Sequence, residues 1–285
     1  MNTVAVIGTG TMGHGIAQVV ALAGCQTRVT DSDKDTLEHV LQRIERNLDG
    51  GVNRGKISQE EAAAALARIQ TVDTLDAAGR DADAVIEAVV EDLTVKQNLF
   101  RELDSIVGPD AILASNTSSL SISDIAMATT RPERVLGMHF FNPVHIMKLL
   151  EIVVHDRNAE PVITRARELG EALGKQPILV RDTPGFASSR LGVVLGLEAM
   201  RMLEQEVASA EDIDKAMELG YGHPMGPLRV TDLVGLDVRL AIAEYLHAKL
   251  GGAHYRPPEI LRRKVAAGEL GRKSGRGFHD WSEDG

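Results

Sequence analysis

Short, continuous apolar runs alternate along this chain with longer stretches in which apolar residues recur every three or four positions. Val4-Ala5-Val6-Ile7 opens the series, a run of the kind carried by a strand covered on both faces. Gln26 to Thr30 reads as a second strand. Similar runs return at Ala84-Val85-Ile86, Ala111-Ile112-Leu113-Ala114, Val135-Leu136-Gly137-Met138, Ile152-Val153-Val154 and Ile178-Leu179-Val180. Helical spacing separates most of them: Ile16 to Ala21, Val95 to Val107, and Val162 to Leu173 with Gly174 closing it. Residues 32–75 read as helical throughout. Ser58 with Glu61 has the form of a capping box before the alanine-rich stretch Ala62 to Ala67. Alternating strands and helices predict an α/β architecture, a doubly wound and mostly parallel sheet.

The texture changes at Asp182-Thr183-Pro184-Gly185. Beyond it the long apolar stretches, Leu191 to Leu203 and Asp237 to Leu250, have helical spacing only. Ser209 with Asp212 marks one helix start, and Gly220 suggests the end of that helix. The reading is two domains, 1–182 built on the sheet and 183–285 all-helical. In open α/β sheets ligands bind at the carboxyl ends of the strands, so the cleft beside the second domain is the expected site.

Composition narrows the function classes. The chain has 285 residues, 44% apolar and 25% charged, with a formal charge of −10. That balance argues against nucleic acid or an anionic membrane as partner. No apolar run approaches bilayer-spanning length, and strand-like residues begin at Thr3, so the expectation is a cytoplasmic protein without a leader segment. The single cysteine, Cys25, has no disulfide partner and reads as a buried small residue. No Cys/His cluster or H-E-x-x-H pattern suggests a metal.

Directly after the first strand comes Gly8-Thr9-Gly10-Thr11-Met12-Gly13, a G-x-G-x-x-G turn opening a helix. Gly8 permits the tight turn, Gly10 lets backbone approach a pyrophosphate, and Gly13 lets the helix pack close to the strand. The second strand ends on Asp31, whose carboxylate can accept hydrogen bonds from ribose hydroxyls and would repel a 2′-phosphate. A lone glycine turn is common; strand, turn, helix, strand and acid in this order point to a Rossmann-like domain that binds NAD in preference to NADP. His14, beside the loop, reads as incidental.

Oxidation of an alcohol without metal needs a base for the hydroxyl proton, and histidine suits that task near neutral pH. His139 follows the strand Val135–Met138 within His139-Phe140-Phe141-Asn142-Pro143. Glu151, ahead of the next strand, could orient and charge-stabilise the imidazole. Ser115-Asn116-Thr117-Ser118-Ser119 also follows a buried strand, and a hydroxyl there could hold a substrate oxygen. Pattern alone leaves open a structural histidine and a helix-capping serine cluster.

These motifs together resemble the 3-hydroxyacyl-CoA dehydrogenase family, close to its short 3-hydroxybutyryl-CoA members. The resemblance runs through Gly8 to Ala17, Ser115 to Leu120 and His139 to Pro143. It continues through Thr183-Pro184-Gly185-Phe186, Pro224-Met225-Gly226-Pro227 and Lys273-Ser274-Gly275-Arg276-Gly277-Phe278. It implies NAD-dependent interconversion of a 3-hydroxyacyl-CoA and its 3-keto form, as in β-oxidation, and a homodimer formed through the C-terminal domain. His139 would be the base paired with Glu151, and Ser118 would bind the substrate oxygen near the nicotinamide. Asn142 would hold the nicotinamide end. Glu91, Lys96 and Lys273 match cofactor contacts of the family; read without it, Glu91 and Lys96 are a solvated pair opening a helix, and Lys273 is one of several basic tail residues.

An acyl-coenzyme A substrate needs cations for its phosphates. Arg43, Arg46, Arg54 and Lys56 form the densest basic stretch of the first domain, and Arg54 matches a basic position of the family. A solvated helix face explains the same residues. One position departs from the pattern: Ser189 stands before Arg190 where the family carries Asn, a shorter donor with consequences for chain-length preference. Two other readings fit the scaffold, a dehydrogenase of a free hydroxy or sugar acid such as gulonate, and a non-catalytic NAD-binding protein. Comparing a free acid with its CoA ester separates the first; intact Ser118, His139 and Glu151 argue against the second.

Overall fold

The computed structural model describes residues 1–282. Contacts within the chain divide it into two compact units, Met1–Thr183 and a second from Pro184 onward. The first contains β1 (Thr3–Ile7), α1 (Gly13–Leu22), β2 (Gln26–Thr30), α2 (Lys34–Glu38), α3 (Val40–Asn53), α4 (Gln59–Ala67), β3 (Ile69–Thr71) and α5 (Leu75–Gly79). It continues with β4 (Ala84–Glu87), α6 (Leu93–Ile106), β5 (Ile112–Ser115), α7 (Ile122–Ala126), β6 (Val135–Phe140), β7 (Leu149–Val154), α8 (Glu160–Ala172) and β8 (Gln176–Arg181). The second contains α9 (Ser188–Glu204), α10 (Ala210–Tyr221), α11 (Pro227–Val234), α12 (Leu236–Leu250) and α13 (Glu259–Ala266).

One eight-stranded sheet in the order β3-β2-β1-β4-β5-β6-β7-β8 organises the first unit. Every neighbouring pair is parallel except β6 with β7, which is antiparallel. The α/β, Rossmann-like reading of the sequence therefore holds, and the continuous apolar runs are explained: β1, β4, β5 and β6 carry side chains that are buried on both faces. Val6, Ile16, Val20, Ile86, Ile112 and Leu136 belong to one core cluster joining sheet and helices. Cys25 is buried and free, and burial pushes its thiol pKa up.

Local signals set the helix ends. Glu61 N donates to Ser58 Oγ at 3.1 Å and Ser58 N to Glu61 Oε2 at 2.7 Å, the reciprocal box read from the sequence. Asp92 caps α6 through Val95 N at 2.9 Å, and Ser209 caps α10 through Asp212 N at 3.1 Å. Two expectations need correction. The stretch 32–75 is not helical throughout, because Ile69–Thr71 forms β3; a three-residue strand with one buried side chain leaves no periodic signature. Helix α10 runs past Gly220 and ends at Gly222, whose φ of 71° supplies the left-handed turn.

The second unit has its own core, with Val193, Leu197 and Met200 of α9 against Ile213, Leu228 and Leu246. Buried Asp232 ties down the tail by accepting from Phe278 N (2.9 Å), His279 N (2.8 Å) and Trp281 Nε1 (2.9 Å). Among the described residues no helix is long and apolar enough to cross a membrane.

Candidate active site

The glycine loop leaves β1 in a conformation its sequence requires. Gly8 has φ of 89°, and a Cβ there would lie 2.7 Å from the Ala88 carbonyl oxygen. A Cβ on Gly13 would lie 1.7 Å from the Gly8 carbonyl oxygen, so helix and turn can meet only without one. Gly10 differs: nothing stands within 4 Å of its absent side chain, which is the open approach a pyrophosphate needs. Asp31 Oδ2 accepts from Thr9 N at 2.6 Å and Thr9 Oγ1 at 3.1 Å, fixing the acid beside the loop. Gly8, Gly10, Asp31, Thr36, Ala88 and Val90 line part of a cavity of about 530 Å³. His14, which the sequence reads as incidental, places Nδ1 at 2.7 Å from the Gly10 carbonyl oxygen and braces the same turn. Open backbone, helix N-terminus and carboxylate fit NAD.

At the ends of β4 and β5 the structure departs from the picture of a solvated pair. Lys96 is buried at 1% exposure, with Nζ at 2.5 Å from Glu87 Oε1 and 3.5 Å from Glu91 Oε2. Glu87, fully buried, also accepts from Ser115 Oγ at 2.6 Å and Val89 N at 2.7 Å. Glu91 Oε1 in turn accepts from Thr117 Oγ1 (2.6 Å), Ser118 N (3.0 Å) and Ser118 Oγ (3.3 Å). Glu91, Lys96 and Ser118 thus share one hydrogen-bonded network. Glu87 was not singled out from the sequence. It ends a buried strand with an acid, the same signal that drew notice to Asp31.

His139 and Glu151 face each other across the antiparallel ladder of β6 and β7. His139 Nδ1 lies 2.7 Å from Glu151 Oε2; His139 is 6% exposed and Glu151 fully buried. Both sit inside strands rather than beside them, as the sequence reading had it, because β6 extends to Phe140 and β7 begins at Leu149. Their twelve-residue separation is a cross-strand pair, the closest relation two side chains on one sheet face can have. Asn116 Oδ1 accepts from Phe140 N at 2.9 Å, linking the serine segment to the end of β6. Asn142 is exposed and precedes a cis peptide bond to Pro143.

Arg54 and Lys56 line a second cavity of about 710 Å³ in the same unit, with His145, Lys148 and Lys175. Sequence reading missed those three, since they come from the segment after β6 and the turn just before β8, far along the chain. Burial lowers the pKa of His145, helped by the nearby positive charges of Arg54, His14 and Lys175. Burial likewise brings Lys175 down to about 8. Its ammonium donates to the carbonyls of Val144 and, at 2.9 Å, Met147. The basic stretch divides here: Arg43 instead donates to the Thr36 carbonyl and Arg46 to that of Gln42.

In the second unit Ser189 lies in the first turn of α9. Lys273 Nζ pairs with both carboxylate oxygens of Asp237 at 2.6 Å, and this contact holds the Asp237 carboxyl below its ordinary pKa.

Known proteins resemble this chain along its length. Residues 3–183 match the model of the 3-hydroxyacyl-CoA dehydrogenase NAD-binding domain, and residues 185–281 that of the C-terminal domain of the same enzymes. The chain is 45% identical to the 3-hydroxybutyryl-CoA dehydrogenase of Mycobacterium tuberculosis over 99% of each chain. It is 42% identical to that of Bradyrhizobium diazoefficiens, over 99% of this chain and 96% of the relative. The crystal structure of (S)-3-hydroxybutyryl-CoA dehydrogenase from Ralstonia eutropha superposes with a TM-score of 0.95 at 39% identity, covering 99% of this chain and 100% of that one. With both domain models matched in sequence order and relatives alike over their full length, the chain belongs to the NAD-dependent 3-hydroxyacyl-CoA dehydrogenase family.

Proposed function

We propose that this enzyme interconverts an (S)-3-hydroxyacyl-CoA, with 3-hydroxybutyryl-CoA among its substrates, and the 3-ketoacyl-CoA, using His139 as the base. The observation that carries this reading is the buried 2.7 Å contact between His139 Nδ1 and Glu151. A carboxylate at Nδ1 fixes the proton on that nitrogen and leaves the ring's lone pair on Nε2, where a C3 hydroxyl can deliver its proton. The imidazolium so formed meets the Glu151 carboxylate within the same hydrogen bond, a stabilisation present before substrate arrives. In the reverse direction Nε2 returns that proton to the oxygen. Bound NAD supplies the hydride acceptor. Ser118, held by Glu91 through its amide and hydroxyl, orients the substrate oxygen. Glu91, Lys96, Asn142 and Lys273 are the proposed cofactor contacts.

Coenzyme A phosphates would be met by Arg54 and Lys56, joined by Lys148 around the cavity they line. This local cation cluster answers an overall charge of −10 that repels polyanions. Ser189 would touch the acyl chain. We also propose a homodimer formed through the second unit, supported by large apolar side chains left exposed there, Leu191, Leu219 and Tyr221 among them.

The test follows NADH absorbance with acetoacetyl-CoA, with free acetoacetate and NADPH as controls. Oxidation of NADH with the thioester alone is the expected result. Turnover of the free acid at a comparable rate overturns the thioester assignment.

A further inference from the structure

Strand β4 ends on a carboxylate that water does not reach. Glu87 is fully buried, and its strand position pairs with Ile7 of β1 on one side and Ser115 of β5 on the other. Both side-chain oxygens are engaged: Oε1 accepts from Lys96 Nζ at 2.5 Å and Val89 N at 2.7 Å, and Oε2 from Ser115 Oγ at 2.6 Å. A buried carboxylate is tolerated only with partners of this kind. A shift of this side chain would break three contacts together, so Glu87 is a fixed point.

Glu91 is placed differently, with its side chain 40% exposed. Its Oε1 accepts from Thr117 Oγ1 (2.6 Å), Ser118 N (3.0 Å), Ser118 Oγ (3.3 Å) and Ser119 Oγ (3.3 Å). Among the described residues Oε2 has one neighbour of opposite charge, Lys96 Nζ at 3.5 Å. Thr117 closes the circuit, because its amide donates to Ser115 Oγ at 3.3 Å. One ammonium thus stands between two carboxylates and lies nearer the buried one. A single positive charge that pairs closely with one carboxylate leaves the other with acceptor sites to spare.

We propose that Glu87 is a positioning residue for the cofactor: by holding the Lys96 ammonium to itself, it keeps Glu91 Oε2 open to a ribose hydroxyl of NAD. The proposal rests on the reading in which Glu91 is a cofactor contact. Replacing the Glu87 carboxylate by an amide removes the closer counter-charge, and the buried ammonium then turns to the carboxylate that remains within reach. Glu91 Oε2 is occupied before the cofactor arrives, and a neutral hydroxyl must displace a charged donor to reach it. Oε1 keeps its bonds to the serine segment, so Ser118 stays in place. The signature is weaker cofactor binding with the chemical step preserved.

The experiment titrates NADH, followed by its fluorescence, into the native protein, Glu87→Gln, Glu91→Ala and the double variant. Each single variant is expected to bind NADH about 10-fold more weakly, a loss within the range for groups of one network. In the double variant, Glu87→Gln should add less than about 2-fold to the loss from Glu91→Ala, because its effect runs through Glu91. With acetoacetyl-CoA, Glu87→Gln should raise the KM for NADH and leave kcat within about 3-fold of native. Thermal denaturation checks folding. Where Glu87→Gln is unfolded, Glu87→Asp is read in its place: it keeps the charge but withdraws it by one methylene, and a loss of about 3-fold is expected. Native NADH affinity in Glu91→Ala overturns the contact reading and the proposal with it. Weakened binding in Glu91→Ala beside native affinity in the Glu87 variant overturns the proposal alone. Equal losses from the Glu87 variant with and without Glu91 assign Glu87 to the stability of the fold and overturn the proposal, as does a fall in kcat at unchanged KM for NADH.

Discussion

The imidazole of His139 is positioned by residues that each restrict it differently. Glu151 Oε2 lies 2.7 Å from Nδ1, and the Phe141 ring lies with its centroid 4.5 Å from that of the imidazole, tilted by 49°. His139→Ala removes the proposed base and should lower kcat by about 10²–10⁴, while NADH binding, followed by its fluorescence, stays near native; turnover within 10-fold of native sinks the assignment. Glu151→Gln replaces the carboxylate by an amide and should also slow the reaction strongly, since a neutral amide does not stabilise imidazolium. At this scale the sequence was partly legible. Strand ends drew attention to Asp31 and His139, because an acid or a histidine closing a buried run is conspicuous. Lys96 was not legible as a buried group: a lysine in the first turns of a helix ordinarily faces water, and the carboxylates of Glu87, nine positions earlier, and Glu91 reverse that.

Among the elements, the turn from β1 to α1 allows a sharp contrast between two glycines. Gly13→Ala sets a methyl against the Gly8 carbonyl and should destabilise the unit by several kcal/mol, as overpacking against backbone does. Gly10→Ala meets open space, so the unliganded protein should melt within a few degrees of native and yet bind NADH at least 10-fold more weakly. A native NADH affinity in Gly10→Ala would remove Gly10 from the pyrophosphate path. Lys175, ahead of β8, donates to carbonyls of the segment between β6 and β7 and supplies a second test. Its folded pKa, about 8, lies below the ordinary lysine value of 10.5, so between those values the unfolded chain holds more protons. This group's contribution to stability therefore rises with pH across that window and is flat below it. Urea midpoints measured from pH 7 to 10 should show a rise relative to Lys175→Met; parallel profiles would refute the shift. Short apolar strands were readable because both faces are buried. Strand β3 was not, since Ile69–Thr71 is short and mostly exposed.

For the whole molecule, the order of elements was the most legible property. Alternation of strands and helices gives way after Thr183 to helices alone, and the sheet ends there with β8. What stayed illegible was which distant cations would gather. Arg54, Lys56, Lys148 and Lys175 surround one cavity although they come from three separate stretches of chain. Oligomeric state belongs to this scale as well. The proposed homodimer predicts a sedimentation mass twice that of the chain at micromolar concentration, and a monomer mass would reject it. Exposed Leu219 and Tyr221, at 84% and 79%, make a first place to introduce charge.

The antiparallel pairing of β6 with β7 has a further consequence. The proposed base and its partner lie within a single peptide, residues 139–151, and are brought together by one reversal of the chain. A crossover in a gene that spares this short interval transmits the pair whole. Helices elsewhere are then free to diverge toward new acyl groups, generation after generation, without the chemistry having to be reinvented.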